Sequence, residues 1–134
     1  MQRAISVITL VVLSFVAVAW AETVKLTSAP FVPAAQGTVE IKADRSGNSA
    51  LKVTVEHLAK PGSLTPAKSV YVVWVQGKGK DAERLGTLRV NDDLKGNIEG
   101  TTPYKSFDLF VTAEDTLSPS TPGGVEVLRG TVSE

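Results

Sequence analysis

The stretch that decides the fold is the six-residue alternation LKVTVE at positions 51–56. Its apolar members, Leu51, Val53 and Val55, occupy every second position, and the residues between them are polar or charged. A period of two is typical of a β-strand with one face in a hydrophobic core and the other in water. We therefore predict a half-buried strand here.

The segment on the N-terminal side supplies a partner for this strand. Residues 38–43 read TVEIKA and alternate in the same way, with Val39 and Ile41 on one face. Residues 44–48, DRSGN, lie between the two alternations and are rich in turn formers, and Gly47 can adopt the positive φ that tight turns need. The two runs are predicted to form an antiparallel hairpin.

The remainder of the chain repeats this organisation in short strands. Further strands are predicted at residues 70–75, 85–90, 107–112 and 125–131, with a shorter one around Ile98. Residues 70–75, VYVVWV, are apolar on both faces, which is typical of a central strand covered on each side. No stretch after residue 21 carries a sustained helical pattern. We predict an all-β fold, a single antiparallel β-sandwich of immunoglobulin- or fibronectin-like architecture with about seven to eight strands and, because the chain has no Cys, no disulfide.

The N-terminus has the pattern of a secretory signal. Arg3 is followed by an uncharged, mostly apolar run over residues 4–19, and Ala19 and Ala21 form an A-x-A exit before Glu22. We predict a signal peptide over residues 1–21, an extended leader over 22–36 and the β-sandwich over 37–134. Retention of the run as a membrane anchor stays open, because its length approaches that of a spanning helix. A periplasmic or secreted location is expected.

The charge balance narrows the partners. The chain has 14 basic and 14 acidic residues, and removal of residues 1–21 takes away only one charge, that of Arg3. A near-neutral domain has no electrostatic reason to bind nucleic acid or, after signal cleavage, an anionic membrane surface. An envelope protein remains the expected kind of partner, and the oligomeric state is not determined by these residues.

Catalytic chemistry has few candidates. His57 is the only histidine, it follows the alternation of residues 51–56, and no G-x-S-x-G sequence accompanies it. A nucleophile–base pair needs a histidine placed beside a nucleophile. We therefore expect a structural His57 exposed at a strand end, no catalytic residues and no enzyme activity.

Metal and phosphate sites are equally poorly supported. Residues 91–96, NDDLKG, resemble the start of a calcium loop, but Lys95 occupies an oxygen-ligand position and Thr102 stands where Glu belongs. Residues 77–80, GKGK, lack the G-x-x-x-x-G-K-[ST] spacing of a phosphate loop. We expect both segments to be turns, and no metal and no cofactor.

One surface is not explained by folding alone. If Trp74 faces the core, alternation sends Tyr71, Val73 and Val75 outward, and Phe110 points outward from its own strand. Exposed apolar patches are usually covered. We predict an interaction patch of Tyr71, Val73, Val75 and Phe110, covered by the leader or by a partner, with the leader favoured.

From position 71 onward the chain resembles a known family of domains. The similar segments are residues 71–75 (YVVWV), 85–88 (LGTL), 107–114 (FDLFVTAE), 120–124 (STPGG) and the strand at 125–130. In this order they are similar to the extracytoplasmic C-terminal domain of anti-sigma-K-type regulators. The resemblance implies a periplasmic β-sandwich without enzyme activity. Only Gln2 and Arg3 precede the apolar run, so the cytoplasmic sigma-binding segment of those regulators is not expected here.

Two classes of function follow. The first is a non-enzymatic exported module of the anti-sigma-factor sensor-domain type that binds a protein or a small ligand in the cell envelope. The alternative is a structural or adhesive envelope protein that acts through pairing of its edge strands.

Overall fold

The computed structural model describes residues 21–133, and these fold into antiparallel strands. The strands are β1 (Glu22–Ser28), β2 (Gln36–Ala43), β3 (Ser49–Glu56), β4 (Val70–Gly77), β5 (Glu83–Leu88), β6 (Gly96–Thr102), β7 (Phe107–Glu114) and β8 (Val125–Val132). One 3₁₀ turn, Pro61–Ser63, lies between β3 and β4. Within residues 21–133, no helix is both long and apolar enough to cross a membrane.

All eight strands belong to one sheet that almost closes on itself. Their order is β5-β4-β7-β8-β1-β2-β3-β6. The two edge strands, β5 and β6, lie next to each other without forming a ladder. The expected all-β antiparallel class is confirmed, but the shape is closer to a barrel than to two stacked sheets.

β1 joins the two halves of the sheet. Its first part pairs with β2 from Glu22↔Ile41 to Leu26↔Gly37, and its last two residues pair with β8. The segment predicted to be an extended leader therefore contributes a strand inside the sheet, with a neighbour on each side.

The predicted hairpin is confirmed, and it shows how the core is built. β2 and β3 pair over their full length, with Val39 opposite Val53 and Ile41 opposite Leu51. Leu51 and Val53 are buried, whereas Lys52 between them is exposed. Because alternate residues leave opposite faces of a strand, the apolar half of the pattern lines the interior of the barrel.

Candidate functional site

The predicted interaction patch does not exist as an exposed surface. Tyr71 and Val73 are 0% exposed and Val75 is 2% exposed, and all three belong to the main core inside the barrel. Phe110 points to the opposite side of the sheet and packs with Trp74. The expected orientation of β4 is therefore wrong, although Trp74 is buried and Phe110 points outward from β7 as predicted.

The physical reason for this error lies in β4 itself. All six residues from Val70 to Val75 are buried, so no polar side chain marks which face meets water. The Tyr71 hydroxyl identifies the interior face in the structure, because it donates a hydrogen bond to the carbonyl of Ala59 beside the core. Burial raises the pKa of Tyr71 to about 12.

The leader shares the core with the three misassigned residues. Val32 and Ala35, in the connection between β1 and β2, are buried in the same cluster as Tyr71, Val73 and Val75. The leader therefore contacts this group as part of the folding core.

A second, smaller apolar group lies on the outward face of β4 and β7. We call it the outer cluster; its members are Val70, Val72, Trp74 and Phe110. Trp74 lies opposite Phe110 in the strand pairing, and Arg129 of β8 is the next residue in that row. The Arg129 guanidinium lies 4.5 Å from the centroid of the Phe110 ring, a cation–π contact.

A chain of polar contacts continues the outer cluster along the sheet. The Trp74 indole N–H donates to the Thr112 hydroxyl over 2.8 Å, and that hydroxyl donates to the Glu114 carboxylate. The other carboxylate oxygen of Glu114 accepts from the backbone N–H of Gly123 over 3.3 Å. Thr112 and Glu114 are buried, so each polar group meets the requirement that buried groups be hydrogen-bonded. This network is a structural connection between β4, β7 and the loop before β8.

The outward face of β2, β3 and β6 is charged, in contrast to the apolar outer cluster on β4 and β7. Glu40, Lys52 and Glu99 form a row across β2, β3 and β6, and all three are exposed. Opposite charges on neighbouring strands stabilise such a pair modestly. This face is a solvated surface of mixed charge.

An exposed apolar cleft lies at the end of the barrel formed by the connections after β1 and β3. We call it the Phe31 cleft; its lining residues are Phe31, Leu64, Thr65, Pro66, Lys68 and Val125, and its volume is about 140 Å³. Phe31 is 53% exposed and Val125 is 42% exposed. Lys68 lies beside the apolar wall and pairs with Asp115 at 3.3 Å. Four large apolar side chains are exposed within residues 21–133, and two of them meet here.

The remaining candidate residues lie in turns, as expected. His57 is exposed after the end of β3 with a φ of 54°, and Leu58 takes the next buried position. The Asn91 side chain accepts hydrogen bonds from the backbone N–H groups of Asp93 and Lys95, both at 3.0 Å, which makes residues 91–95 a polar turn. Residues 77–80 form the turn between β4 and β5, closed by a 3.0 Å bond from Lys80 N–H to the Gly77 carbonyl.

Titratable side chains of the described residues meet in surface ion pairs, such as those of Arg129 with Asp108 and Glu126. Among residues 21–133, no three His, Cys, Asp or Glu side chains are grouped so that they could hold a metal ion. Asp92 is fully exposed, and its hydrogen bond and charge interaction with Lys60 hold the pKa of that carboxyl below its usual value. That contact is a surface ion pair between two turns.

Sequence reasoning missed the Phe31 cleft. The stretch PFVP at residues 30–33 was a usable signal, since Phe31 is apolar and flanked by prolines. Val125 lies far along the chain, at the start of β8, and only the folded sheet brings it next to Phe31.

No protein-family model, no curated protein and no solved structure matches this chain.

Proposed function

We propose that this protein is a non-enzymatic exported module that binds another protein of the cell envelope through the Phe31 cleft. The observation that carries the proposal is the meeting of Phe31 and Val125, both more than two-fifths exposed, at one cleft. Scattered single apolar residues on a surface need no explanation, but a cluster of them around a depression is characteristic of an interaction site.

The apolar wall of the cleft and the charged pair beside it favour a protein partner. The cleft, which adjoins a depression of about 360 Å³ through Phe31, Leu64 and Thr65, has a volume of about 140 Å³. It is suited to one apolar side chain of a partner, and such anchors dominate binding energy at protein interfaces. The Lys68–Asp115 pair beside the cleft would form part of a polar rim around that contact.

Two parts of the proposal, export from the cytoplasm and a sensor-like role, are supported by the sequence alone. The charge, apolar run and A-x-A exit of residues 1–21 support secretion, and residues 1–20 lie outside the described part of the chain. The resemblance of residues 71–130 to the anti-sigma-K-type C-terminal domain supports a sensor-like module. On this proposal the module receives a protein signal in the envelope and catalyses no reaction.

The structural or adhesive alternative has less support. It requires free edges to which another strand can add, as exposed edge strands offer. Here the edges β5 and β6 face each other, and their side chains interlock so closely that a Cβ on Gly86 would lie 2.5 Å from Ile98 Cδ1. A strand that joined either edge would have to separate this contact.

Site-specific photo-cross-linking in the envelope of the producing cells tests the proposal. A photoreactive phenylalanine analogue at position 31 is expected to capture one protein, and Val125→Ser should abolish that capture. The matched control places the analogue at Leu117, which is 71% exposed and does not line the cleft. The proposal is overturned if position 31 captures nothing, if Leu117 captures the same protein equally, or if Val125→Ser leaves the capture unchanged.

A further inference from the structure

Phe31 separates two depressions at one end of the barrel. The Phe31 cleft, of about 140 Å³, lies on one side of this residue, and the adjoining depression of about 360 Å³ lies on the other. We call the larger one the His57 depression; it shares Phe31, Leu64 and Thr65 with the cleft and extends to Ala34, His57 and Ala59. Phe31 is the largest side chain of the shared wall, and it therefore forms the divide between the two.

The wall that carries Phe31 is fixed by hydrogen bonds in the connection between β1 and β2. The Val32 N–H donates to the Ala29 carbonyl, and the Ala35 N–H donates to the Val32 carbonyl, each over 3.0 Å. Val32 and Ala35 are buried in the main core, so the exposed Phe31 is held on a turn that is anchored from below. A wall that is already ordered loses little entropy when a partner binds.

The opposite wall belongs to the connection between β3 and β4 and is held in a similar way. The N–H groups of Leu64 and Lys68 both donate to the Pro61 carbonyl, over 3.2 Å and 2.9 Å. These bonds bring Lys68 and Leu64 together at the Phe31 cleft, which both residues line. The site is therefore formed before any partner arrives.

Lys68 makes the apolar site selective for charge. Residues 29–35 and 57–69, which form most of both depressions, contain Lys60 and Lys68 and no Asp or Glu. The Lys68 side chain is 14% exposed, and its contact with the exposed Asp115 carboxylate is 3.3 Å, longer than the ~2.7–2.9 Å of a strong charged hydrogen bond. An ammonium has three donors, so it can bind a second carboxylate from a partner that covers the cleft.

The spacing of the two depressions matches an extended chain. Two groups in contact with opposite sides of one aromatic ring lie ~7–8 Å apart, which is twice the van der Waals contact distance. In an extended segment, residues i and i+2 leave the same face and lie ~7 Å apart. Neighbours on one face of a helix, at i and i+3 or i+4, are only ~5–6 Å apart. An extended segment therefore fits across Phe31 better than a helix.

We propose that the partner presents an extended protein segment with two apolar side chains separated by one residue, one on each side of Phe31, and an acidic side chain that binds Lys68. The proposal rests on the proposed function of the Phe31 cleft, because it names what that site recognises. One apolar side chain fills the cleft and the other enters the His57 depression. Burial of both against preformed walls provides the affinity, and the carboxylate selects the partner.

Selection of displayed random peptides on the purified protein tests this class of partner. The enriched peptides are expected to share two apolar residues at positions i and i+2 with an Asp or Glu beside one of them. On the Lys68→Glu protein, Lys or Arg should replace the acid while the apolar pair persists. The matched control is Lys95→Glu, an exposed lysine in the connection after β5 that lines neither depression, and it should keep the acid.

Several selection results would overturn the proposal. They are the absence of a shared sequence, an apolar pair at the helical spacing i and i+3 or i+4, an unchanged preference for acid on the Lys68→Glu protein, and an equal reversal on the Lys95→Glu protein.

Titration of a selected peptide separates the two depressions. Replacing either apolar residue of the peptide by Ala should weaken binding about tenfold. Ala34→Trp in the protein fills the His57 depression, so one of these two replacements should then cause no further loss. Ser46→Trp, an exposed position in the turn between β2 and β3, is the control and should leave both losses intact. Two undiminished losses on the Ala34→Trp protein overturn the proposal.

The protein captured by the photoreactive analogue at position 31 distinguishes this proposal from the proposed function. Digestion of the cross-linked product should show a linked peptide that contains the apolar pair and the acid. A captured envelope protein whose linked peptide lacks this pattern overturns the proposal and leaves the Phe31 cleft as a binding site. A link to a second copy of this chain overturns both.

Discussion

The indole N–H of Trp74 donates a 2.8 Å hydrogen bond to the hydroxyl of Thr112, across the outward face of two neighbouring strands. Both residues are buried, although their side chains point away from the main core. The hydroxyl also donates to the Glu114 carboxylate, so one small side chain satisfies two buried groups.

Removal of that hydroxyl should therefore destabilise the protein. Thr112→Val keeps the shape of the side chain but leaves the indole N–H and a carboxylate oxygen without their partner, which costs about 1–3 kcal/mol of unfolding free energy. Thr112→Ser keeps the hydroxyl and should lose much less. Urea denaturation of the two variants compares them directly. Equal losses would mean that the hydrogen bonds contribute nothing beyond packing.

Truncation of Trp74 should cost more than any surface change. Its side chain is 0% exposed, and Trp74→Ala should lower the unfolding free energy by ~3–5 kcal/mol. The control is Leu117→Ala, whose side chain is 71% exposed and should stay within about 0.5 kcal/mol. Thermal and urea unfolding measure both. A Trp74→Ala loss as small as that of the control would show that the outer cluster is not packed.

Two adjacent glycines before β8 should respond differently to the same substitution. A Cβ on Gly124 would lie 1.9 Å from the Ala113 carbonyl oxygen, a backbone atom, whereas a Cβ on Gly123 would meet only Glu114 Oε1 at 3.9 Å. Gly124→Ala should therefore cost about 1–3 kcal/mol through forced backbone movement. Gly123→Ala should be nearly neutral. Melting temperatures that fall equally would contradict the close packing of this loop on β7.

Tyr71 should make stability fall at high pH. Its pKa is about 12 in the folded protein against an ordinary 10.0, so the native state holds a proton that the unfolded state releases. The stabilisation is therefore complete below pH 10 and is lost as the pH rises through about 12. Unfolding free energies measured from pH 9 upward should drop more steeply for the wild type than for Tyr71→Phe. Parallel curves would show that the phenol is free to ionise in the folded state.

The mass of the exported protein shows whether its N-terminal segment has been cleaved. The A-x-A exit at residues 19–21 predicts that the exported protein begins at Glu22. Intact mass spectrometry of the protein recovered from the envelope checks this. A species that still carries residues 4–19 would show that the run is retained as an anchor.

The sequence predicted those parts of the fold in which a polar residue marks the water-facing side. Lys52 and Thr54 between Leu51, Val53 and Val55 oriented β3 correctly, and Asp108 did the same for β7. β4 carries no such marker, because every residue from Val70 to Val75 is buried. Its orientation depends on partners distant in sequence, Ala59 for Tyr71 and Thr112 for Trp74.

The closure of the sheet and the Phe31 cleft could not be predicted from local sequence patterns either, because both depend on contacts between residues distant in sequence. β1 pairs with β2 through its first part and with β8 through its end, and the alternation of Val24 and Leu26 with polar residues does not identify either partner. The Phe31 cleft needs side chains from the connection after β1, the connection after β3 and the start of β8. Alternation within one strand carries no information about such long-range contacts.

The affinity of the protein captured at position 31 tests the central claim most directly, namely that the Phe31 cleft is the binding site. Calorimetric titration of that purified partner should show that Phe31→Ser weakens binding by at least about 30-fold, as expected for an anchor worth ~2 kcal/mol. Leu117→Ser, an exposed apolar change outside the cleft, should leave the dissociation constant unchanged. An unchanged affinity for Phe31→Ser, or an equal loss for Leu117→Ser, would contradict the account.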